Sequence, residues 1–378
     1  MKKKIMLVAG ARPNFVKIAP LLHELNKYKK HFSTVLVHTG QHYDFKMSEI
    51  FFRDLNIPKP DIHLNVGSGS HASQTAKIMT AFEKVVLKEK PDVVVVVGDV
   101  NSTVACSLVA SKLNIKVAHV EAGLRSFDRT MPEEINRIVT DSLSDYLFVS
   151  EQSGRINLKK EGIPGDKVFF VGNVMIDTLL SNRDKIEKSS ILENLFPKKT
   201  PSPAQPLPYA VLTLHRPGNV DSKQALAEIY TILKKVSGLI NIIYPIHPRT
   251  KKMIQVHSYL QKFERLKNLT MVEPLGYIDF IKLVSAAAFV LTDSGGIQEE
   301  TTVLGIPCLT MRTNTERPIT IKRGTNHLVG RDVNNIVKQT TLILTGKAKK
   351  GAVPERWDGK SAERIISILL KRKQNHTS

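Results

Sequence analysis

The sequence predicts an α/β protein with two Rossmann-like domains, each a doubly wound parallel sheet, that face a cleft. Its 378 residues exceed the length of one ordinary domain and suit two. Short apolar runs alternate with longer amphipathic runs in both halves, as strands alternate with helices in such sheets. Polar motifs follow directly after the predicted strands, where the ligands of these folds bind.

The composition is that of a globular protein. A hydrophobic fraction of 42% is enough for two cores. No run approaches the roughly 20 apolar residues of a membrane span, so membrane insertion is not expected. The N-terminal run MKKKIMLVAG is too short for a secretory signal and is interpreted as the first strand. Cys106 and Cys308 lie among apolar residues, which argues against a disulfide and predicts a cytoplasmic location.

The formal net charge of +20 favours an anionic partner. The lysine pairs are dispersed along the chain, and the sequence contains no basic block and no known nucleic-acid-binding module. By charge alone a nucleotide, an anionic membrane surface or, more weakly, a nucleic acid would suit. A solvated, lysine-rich surface explains the charge better, and we expect no nucleic acid partner.

Apolar and amphipathic runs define a first domain over residues 1–172. Strands are predicted at residues 5–9, 34–38, 93–98, 117–120, 146–149 and 168–171, and helices at residues 14–28, 73–87, 102–113, 133–143 and 151–161. Residues 93–97 are five consecutive valines, a pattern typical of a central strand that helices bury on both faces.

Five prolines in residues 197–208 interrupt the alternation, so residues 173–208 are predicted to form a connecting helix and a linker. The alternation resumes in a second domain over residues 209–358. Its predicted strands are residues 209–214, 242–245, 270–272, 289–291 and 308–311, and its predicted helices are residues 224–236, 277–286 and 296–304. A last helix, at residues 361–373, lies in a C-terminal segment over residues 359–378.

A cationic motif follows the first predicted strand. The strand ends in the sequence GARP, which contains Arg12, and Lys17 lies one turn into the next helix. Gly10 permits a tight turn, after which both cations can reach one anion at the helix N-terminus. The pattern G-x-G-x-x-G is absent from the sequence, which argues against a dinucleotide cofactor.

Acidic residues follow two buried strands. Asp99 follows the valine strand, and Glu121 follows the next one. Asn101 or Ser102 is interpreted as the cap of the helix that begins at residue 103, which leaves Asp99 without a structural role.

A third acidic position lies at the start of a helix. Pro132 is followed by Glu133 and Glu134, and acids in a first turn are ordinary helix-dipole chemistry, so a structural and a functional role stay open for both. If Asp99, Glu121 and Glu133 share one cleft, they can shift one another's pKa values and divide acid and base roles.

Histidines follow two strands of the second half. His215 lies in the sequence TLHRP and His247 in the sequence PIHPR. For His247, packing and function are equally compatible with the pattern.

A glycine-rich motif opens a helix later in the second half. At Ser294, Gly295 and Gly296 small side chains leave the backbone N–H groups accessible, so these N–H groups can bind a diphosphate. Glu300 lies about one turn further on, where a carboxylate can accept both hydroxyls of a ribose. Arg317 supplies another cation for phosphate charge.

The motifs GARP…K, GD.NST, HVEAGLRS, MPEEINR, TLHRP, DSGGIQEE, GIPCL and NTERP occur in this order within residues 1–330. Together they resemble the non-hydrolysing UDP-N-acetylglucosamine 2-epimerases, and the joint occurrence of HVEAGLRS and DSGGIQEE is highly specific. The resemblance implies a GT-B architecture, UDP held mainly by the second domain, a C-terminal helix that crosses back to the first domain, and a homodimer.

The resemblance also implies roles for individual residues. UDP would be bound by Arg12, Lys17, His215, Ser294, Gly295, Gly296, Glu300 and Arg317, with Phe280 beside the uracil. The catalytic residues would be Asp99, Glu121 and Glu133, together with His215. The implied reaction is reversible C2 epimerisation of UDP-N-acetylglucosamine to UDP-N-acetylmannosamine for surface polysaccharide synthesis. It proceeds by elimination and re-addition of UDP and requires neither a metal nor another cofactor.

Alternative functions share parts of this pattern. A related branch with the HTGQHYD and TLHR features epimerises a UDP-2,3-diacetamido-2,3-dideoxy-glucuronate, for which Arg125 or Arg129 could contact the C6 carboxylate. A GT-B glycosyltransferase would share the UDP-binding second domain but does not need three carboxylates in the first domain. A non-catalytic nucleotide-sugar sensor does not need these carboxylates either. The QHYD sequence at residues 41–44 differs from the QHR-type stretch of members that UDP-N-acetylglucosamine activates, which weighs against allosteric activation.

Overall fold

A computed structural model describes residues 2–40, 45–196 and 208–371, without the side chains of Arg12 and residues 45–49. The predicted linker at residues 197–207 and the QHYD stretch at residues 41–44 lie outside the described residues. The chain forms two compact units. One comprises Met1–Ser181 with Glu355–Ser378, and the other comprises Asn182–Pro354.

In the described part of the first unit, seven strands form one parallel sheet in the order β3-β2-β1-β4-β5-β6-β7. They are β1 (Lys3–Ala9), β2 (Phe32–His38), β3 (Ile62–His63), β4 (Val93–Val97), β5 (Lys116–Val120), β6 (Tyr146–Val149) and β7 (Val168–Phe170). All five valines of β4 are buried, because helices cover both faces of the sheet at its centre.

The helices between these strands are α1 (Arg12–Lys27), α2 (Phe45–Asp54), α3 (His71–Glu89), α4 (Asn101–Lys112), α5 (Pro132–Leu143) and α6 (Gln152–Lys160), and α7 (Val174–Ser181) follows the last strand. Proline occupies the first turn of both α1 and α5, where its missing N–H costs no helical hydrogen bond. The Ser70 hydroxyl caps α3 by accepting a hydrogen bond from Ser73 N. α7 lies within the segment that was predicted to be a connector, yet it belongs to the first unit.

In the described part of the second unit, six parallel strands follow the order β10-β9-β8-β11-β12-β13. They are β8 (Tyr209–Thr213), β9 (Asn241–Pro245), β10 (Leu269–Val272), β11 (Phe289–Thr292), β12 (Cys308–Thr310) and β13 (Asn326–Leu328). Apolar side chains pack on both faces of this sheet and form two core clusters.

The helices of the second unit are α8 (Arg183–Glu187), α9 (Ile191–Leu195), α10 (Pro217–Val220), α11 (Lys223–Val236), α12 (Pro248–Val256), α13 (Leu260–Glu264), α14 (Tyr277–Ser285), α15 (Gly295–Leu304), α16 (Pro318–Lys322) and α17 (Val333–Leu344). Most lie between consecutive strands, which is the connection that parallel strands require.

The last helix, α18 (Ser361–Lys371), packs against α1 and α7 of the first unit. The carboxylate of Asp177 in α7 accepts a hydrogen bond from Ala362 N at 2.7 Å and so caps the start of α18. The indole of Trp357, which is buried just before this helix, donates a hydrogen bond to Ser150 O at 3.0 Å. These contacts attach the C-terminal residues to the first unit.

The predicted fold class, two Rossmann-like parallel-sheet domains, is confirmed. Each predicted strand and helix lies within two residues of its predicted bounds. The prediction missed short elements such as β3 and β13, because two or three residues show no periodicity. It also missed α17, whose asparagines and threonines favour helix weakly. Among the described residues, no helix is both long and apolar enough to cross a membrane.

Candidate active site

Polar side chains collect in each sheet where the strand order reverses. In the first unit the reversal lies between β1 and β4, and in the second between β8 and β11. A crevice forms beyond the strand ends at such a point, because the connections leave in opposite directions. Lys17 and Asp99 follow β1 and β4, and His215 and Ser294 follow β8 and β11.

In the first unit, Lys17 pairs with Glu121. The Lys17 Nζ atom lies 2.6 Å from Glu121 Oε2, and both side chains are almost fully buried. Lys17 is therefore neutralised by a carboxylate of the same unit, although the sequence pattern alone indicated only an anion at the start of α1. The side chain of its predicted partner, Arg12, lies outside the described residues, and only its place at the first position of α1 is known.

The backbone of Glu121 adopts a left-handed conformation, with φ of 77°. Such a conformation costs a residue other than glycine roughly 1–3 kcal/mol and persists only where surrounding contacts impose it. Here Phe148 O accepts hydrogen bonds from both Glu121 N and Ala122 N, at 3.0 and 3.1 Å. The turn after β5 is thus held against β6 with the Glu121 side chain directed at Lys17.

Asp99 is fixed by helix α5. Its carboxylate accepts a short hydrogen bond from Arg137 Nη1, and its backbone carbonyl accepts one from Asn136 Nδ2 at 2.9 Å. About a quarter of the Asp99 side chain remains exposed, whereas Arg137 is buried. Asp99 therefore keeps an accessible carboxylate beside a cation.

The two acids in the first turn of α5 differ in role. The Glu134 carboxylate is buried and accepts hydrogen bonds from Ser126 N and Phe127 N at 3.0 and 2.8 Å and from Arg137 Nη2 at 2.6 Å. Burial raises the pKa of Glu134, but these hydrogen bonds outweigh it and the pKa lies below its usual value. Glu133 is only half-buried, and it makes no ion pair within the described residues. The structural role thus belongs to Glu134, and Glu133 is available for chemistry.

The predicted capping of α4 by Asn101 or Ser102 is wrong. The helix begins at Asn101 itself, after Val100, which has no side chain that can cap. The Asn101 side chain instead hydrogen-bonds the Gln74 side chain, and the Ser102 hydroxyl hydrogen-bonds Thr39 at 2.8 Å. Both side chains link α4 to neighbouring segments because the sheet brings these segments close.

In the second unit, Asp293 orients His215. The Asp293 carboxylate is fully buried and lies 3.0 Å from His215 Nδ1. It also accepts hydrogen bonds from Arg216 N at 2.9 Å and from Asn219 Nδ2 at 3.0 Å. Burial raises the pKa of Asp293, but His215 and these donors outweigh it and lower the pKa to about 2. The ring of His215 is therefore fixed through Nδ1, with 41% of the side chain exposed.

Helix α15 begins beside a buried arginine. Ser294 is its N-cap residue, and the helix runs from Gly295 with Gly296 as its second residue. A Cβ atom on Gly295 would lie 2.6 Å from Arg317 Nη1 and 2.7 Å from Glu316 Oε1, so a side chain there would displace these two groups. The N–H groups of this helix start thus lie next to the Arg317 guanidinium, as a diphosphate cradle requires.

Arg317 is shared between two carboxylates. Its Nε atom lies 2.9 Å from Glu299 Oε2, and its Nη1 atom donates a short hydrogen bond to Glu316. Glu316 also accepts a hydrogen bond from Arg312 Nη2 at 2.7 Å. All four side chains are buried. They hold the guanidinium rigidly at the N-terminus of α15.

Glu300 is buried in α15 beside the hydroxyl of Tyr277. Burial, assisted by the charge of Glu299 and opposed by the nearby hydroxyl of Tyr277, raises the pKa of Glu300 to about 8. Phe280 lies one turn after Tyr277 in α14 and is half-buried against the core. The second unit thus places an acid and an aromatic ring on two of its helices.

Sequence reasoning missed four residues that support the site. They are Asp293, which contacts His215, Arg137, which contacts Asp99, Tyr277, which lies beside Glu300, and Arg312, which binds Glu316 next to Arg317. Asp293 was detectable, since it follows β11 directly in the DSGG motif. The partners of the other three depend on tertiary packing.

Two further basic residues have structural partners. The Arg125 guanidinium is buried and contacts Asp141 Oδ2 at 2.7 Å and Glu161 Oε2 at 2.6 Å, so it is not available to a C6 carboxylate. His247 caps α12 by accepting a hydrogen bond from Arg249 N at 3.2 Å, and its ring centroid lies 5.5 Å from that of His215. Within the described residues, no group of three or more histidine, cysteine or acidic side chains is arranged to hold a metal ion.

Comparison with known proteins gives a consistent match. The family model described as UDP-N-acetylglucosamine 2-epimerase matches residues 23–370. The UDP-N-acetylglucosamine 2-epimerase of Methanocaldococcus jannaschii is 44% identical over 97% of this chain and 98% of its own. The UDP-2,3-diacetamido-2,3-dideoxy-D-glucuronate 2-epimerase of Pseudomonas aeruginosa is 38% identical over 97% of this chain and 99% of its own.

A solved structure matches over the same length. The crystal structure of the M. jannaschii enzyme in complex with UDP-GlcNAc and UDP superposes with a TM-score of 0.89 at 44% identity, covering 97% of this chain and 99% of that one. The predicted GT-B-like fold class agrees with this match. The chain therefore belongs to the UDP-N-acetylglucosamine 2-epimerase family.

Proposed function

We propose that the protein interconverts UDP-N-acetylglucosamine and UDP-N-acetylmannosamine by eliminating and re-adding UDP. The placement of Asp99 and Glu121 carries this proposal. The two carboxylates follow the neighbouring strands β4 and β5, and each contacts a cation. Proton removal and proton return on opposite faces of one carbon require two such groups held at a fixed separation.

Elimination solves the chemical difficulty of the reaction. The C2 proton of an N-acetylhexosamine is not α to a carbonyl group, so its direct removal is prohibitive. When the bond from C1 to the UDP oxygen breaks, developing positive charge at C1 acidifies C2, and loss of the C2 proton gives a 2-acetamidoglucal and UDP. Re-addition of UDP at C1, with a proton delivered to the other face of C2, gives the epimer. No net oxidation occurs, and no hydride acceptor is needed.

The first unit would act on the sugar. Asp99, Glu121 and Glu133 would remove and return the C2 proton. Lys17 would hold the Glu121 carboxylate in position, and with Arg12 it would balance phosphate charge during elimination. Glu133 suits proton transfer because, unlike Glu134, it is not committed to holding the fold.

The second unit would hold UDP. The N–H groups of Ser294, Gly295 and Gly296, with Arg317, would bind the diphosphate as it leaves. His215, fixed by Asp293, would present its Nε2 atom to the same group. The ribose hydroxyls would donate to Glu300, and the uracil would lie beside Phe280.

Proton NMR in D2O tests the reaction directly. Purified protein is incubated with UDP-N-acetylglucosamine without added metal or NAD. We expect UDP-N-acetylmannosamine signals to appear together with deuterium at C2. Absence of both from a folded protein that binds UDP would contradict the proposal.

The diacetamido glucuronate is a second candidate substrate, favoured by the 38% identical P. aeruginosa relative. The burial of Arg125 against Asp141 and Glu161 weighs against it and leaves the exposed Arg129 as the other basic residue named for the C6 carboxylate. Parallel assays of the two UDP-sugars decide between them. A higher kcat/KM for the uronate, lost in Arg129→Gln, would replace the first substrate by the second.

We also propose that the protein acts as a cytoplasmic homodimer in surface polysaccharide synthesis. Its two cysteines are free and buried, as a reducing compartment allows. Light scattering of the purified protein should give twice the mass of one chain, and a monomer mass at working concentrations would contradict the dimer.

A further inference from the structure

A fully buried histidine links the ends of two central strands. His119 lies in β5, and its Nε2 atom donates a hydrogen bond to Gly98 O, at the end of β4, at 2.8 Å. Its Nδ1 atom lies 2.6 Å from Asp141 Oδ1 in α5. Both partners are acceptor oxygens, so the two ring nitrogens of His119 connect the end of β4 to helix α5.

Asp141 also binds the chain on the C-terminal side of Glu121. Its second oxygen accepts a hydrogen bond from Gly123 N at 3.0 Å and contacts Arg125 Nη2 at 2.7 Å. Burial raises the pKa of Asp141, but His119 and Arg125 outweigh it, so the pKa lies below its usual value and the group is a carboxylate. One buried anion therefore binds the chain two residues before Glu121 and two residues after it.

Gly98, which His119 holds, faces the ion pair of the site. Its φ is +68°, and a Cβ atom built on it would lie 2.8 Å from Lys17 Nζ. Asp99 follows it directly. A shift of Gly98 would therefore move Asp99 and also alter the packing against the ammonium that binds Glu121.

We propose that His119 and Asp141 are positioning residues for the proton transfer at C2, because they hold the ends of β4 and β5 together and so fix the separation of Asp99 and Glu121. Neither contacts substrate, since both are buried beneath the strand ends. This inference rests on the proposed epimerase function. It adds a role for two residues outside the group that would bind the UDP-sugar.

Conservative variants of His119 test the proposal. The side-chain amide of Asn can take the place of Nδ1–H, and that of Gln the place of Nε2–H, so each keeps one of the two hydrogen bonds. His119→Phe keeps an aromatic ring of similar size and loses both. A displacement of about 1 Å at reacting groups can cost roughly 100-fold in rate. We expect kcat to fall roughly 10- to 100-fold in His119→Phe and to recover in part in His119→Asn or His119→Gln, with KM and UDP affinity little changed.

Asp141→Asn is the second test, because it weakens the link to His119 and Gly123 from the other partner. Thr140→Val is the matched control. Thr140 is buried next to Asp141 in α5, and its hydroxyl has no hydrogen-bond partner within the described residues. Its replacement should leave kcat unchanged. Fluorescence of Trp357, the single tryptophan of the chain, reports whether the first unit of each variant is folded.

The readout is deuterium incorporation at C2 per enzyme per second, measured alongside KM and the Kd for UDP. Slow incorporation with unchanged UDP binding in a folded His119→Asn, His119→Gln or Asp141→Asn supports positioning. Wild-type incorporation rates in all three variants would overturn the positioning role. So would incorporation rates that fall only in proportion to the loss in the free energy of unfolding. If the wild-type protein incorporates no deuterium from any UDP-sugar, the proposed function fails instead. These outcomes are therefore distinguishable.

Discussion

The ammonium of Lys17 lies 2.6 Å from the carboxylate of Glu121, and about one-twentieth of each side chain is exposed. α1 supplies the cation, and the turn after β5 supplies the anion. A buried charge whose partner is removed is strongly destabilising, because it has lost its hydration without a replacement. Each member of the pair is therefore needed to compensate the buried charge of the other, in addition to any role in the proposed chemistry.

Lys17→Met should separate these two roles. It leaves the Glu121 carboxylate buried without its cation, so we expect a loss of about 3–5 kcal/mol in the free energy of unfolding, together with loss of turnover. Adding Glu121→Gln should restore most of the stability and none of the turnover. Urea unfolding followed by Trp357 fluorescence gives the first quantity. A double variant no more stable than Lys17→Met would mean that the ion pair is not the cause.

Glu133 and Glu134 should respond differently to the same substitution. We expect Glu133→Gln to abolish most turnover with little effect on stability, since its carboxylate makes no ion pair within the described residues. We expect Glu134→Gln to lose about 1–3 kcal/mol, because its carboxylate accepts hydrogen bonds from Ser126, Phe127 and Arg137. Thermal unfolding and steady-state kinetics of both proteins check this. Equal stability losses would contradict the assignment.

Asp293 should make the free energy of unfolding depend on pH in the acidic range. Its pKa is about 2 in the folded protein against a usual value of 3.8. A carboxyl group whose pKa is lowered by folding stabilises the fold above its usual pKa. The contribution, roughly 2 kcal/mol, is lost as the pH falls from about 4 to about 2.

Asp293→Asn should therefore be less stable than the wild type at neutral pH, and the difference should shrink over this acid range. Unfolding followed by circular dichroism measures it. A difference that is constant with pH would show that the carboxylate charge is not responsible. The variant should also lose turnover at neutral pH, since Asp293 fixes the ring of His215.

Glu300 should make UDP binding depend on pH near neutrality. Its pKa of about 8 means that the free protein holds it mainly protonated at pH 7. An ionised carboxylate accepts hydrogen bonds from both ribose hydroxyls, so binding should release a proton and tighten as the pH rises to about 8. Calorimetry in buffers of different ionisation enthalpy measures the proton release. Glu300→Gln should bind more weakly and without release, and a wild-type protein that releases no proton on binding UDP would contradict the prediction.

Much of the fold could be predicted from local sequence. The valine run of β4 and the glycine-rich start of α15 were identified because burial on two faces and a tight turn each demand particular residue types. The motifs placed Asp99, Glu121 and His215 correctly at strand ends. Two-residue β3 could not be predicted, because it leaves no periodic signal in its own segment. The capping of α4 was predicted wrongly, because Asn101 and Ser102 are of residue types that often cap a helix but here bind Gln74 and Thr39.

The sequence by itself determined the order of strands and helices, the residue types at the strand ends and the family. Only the tertiary structure decided that Lys17 binds Glu121, that Glu134 rather than Glu133 holds the fold, and that Arg125 is committed to Asp141. Local periodicity reports which face of an element is buried. Which charged side chains form ion pairs depends on the register of the parallel strands and on how the helices pack. Residues distant in sequence determine the register and the packing.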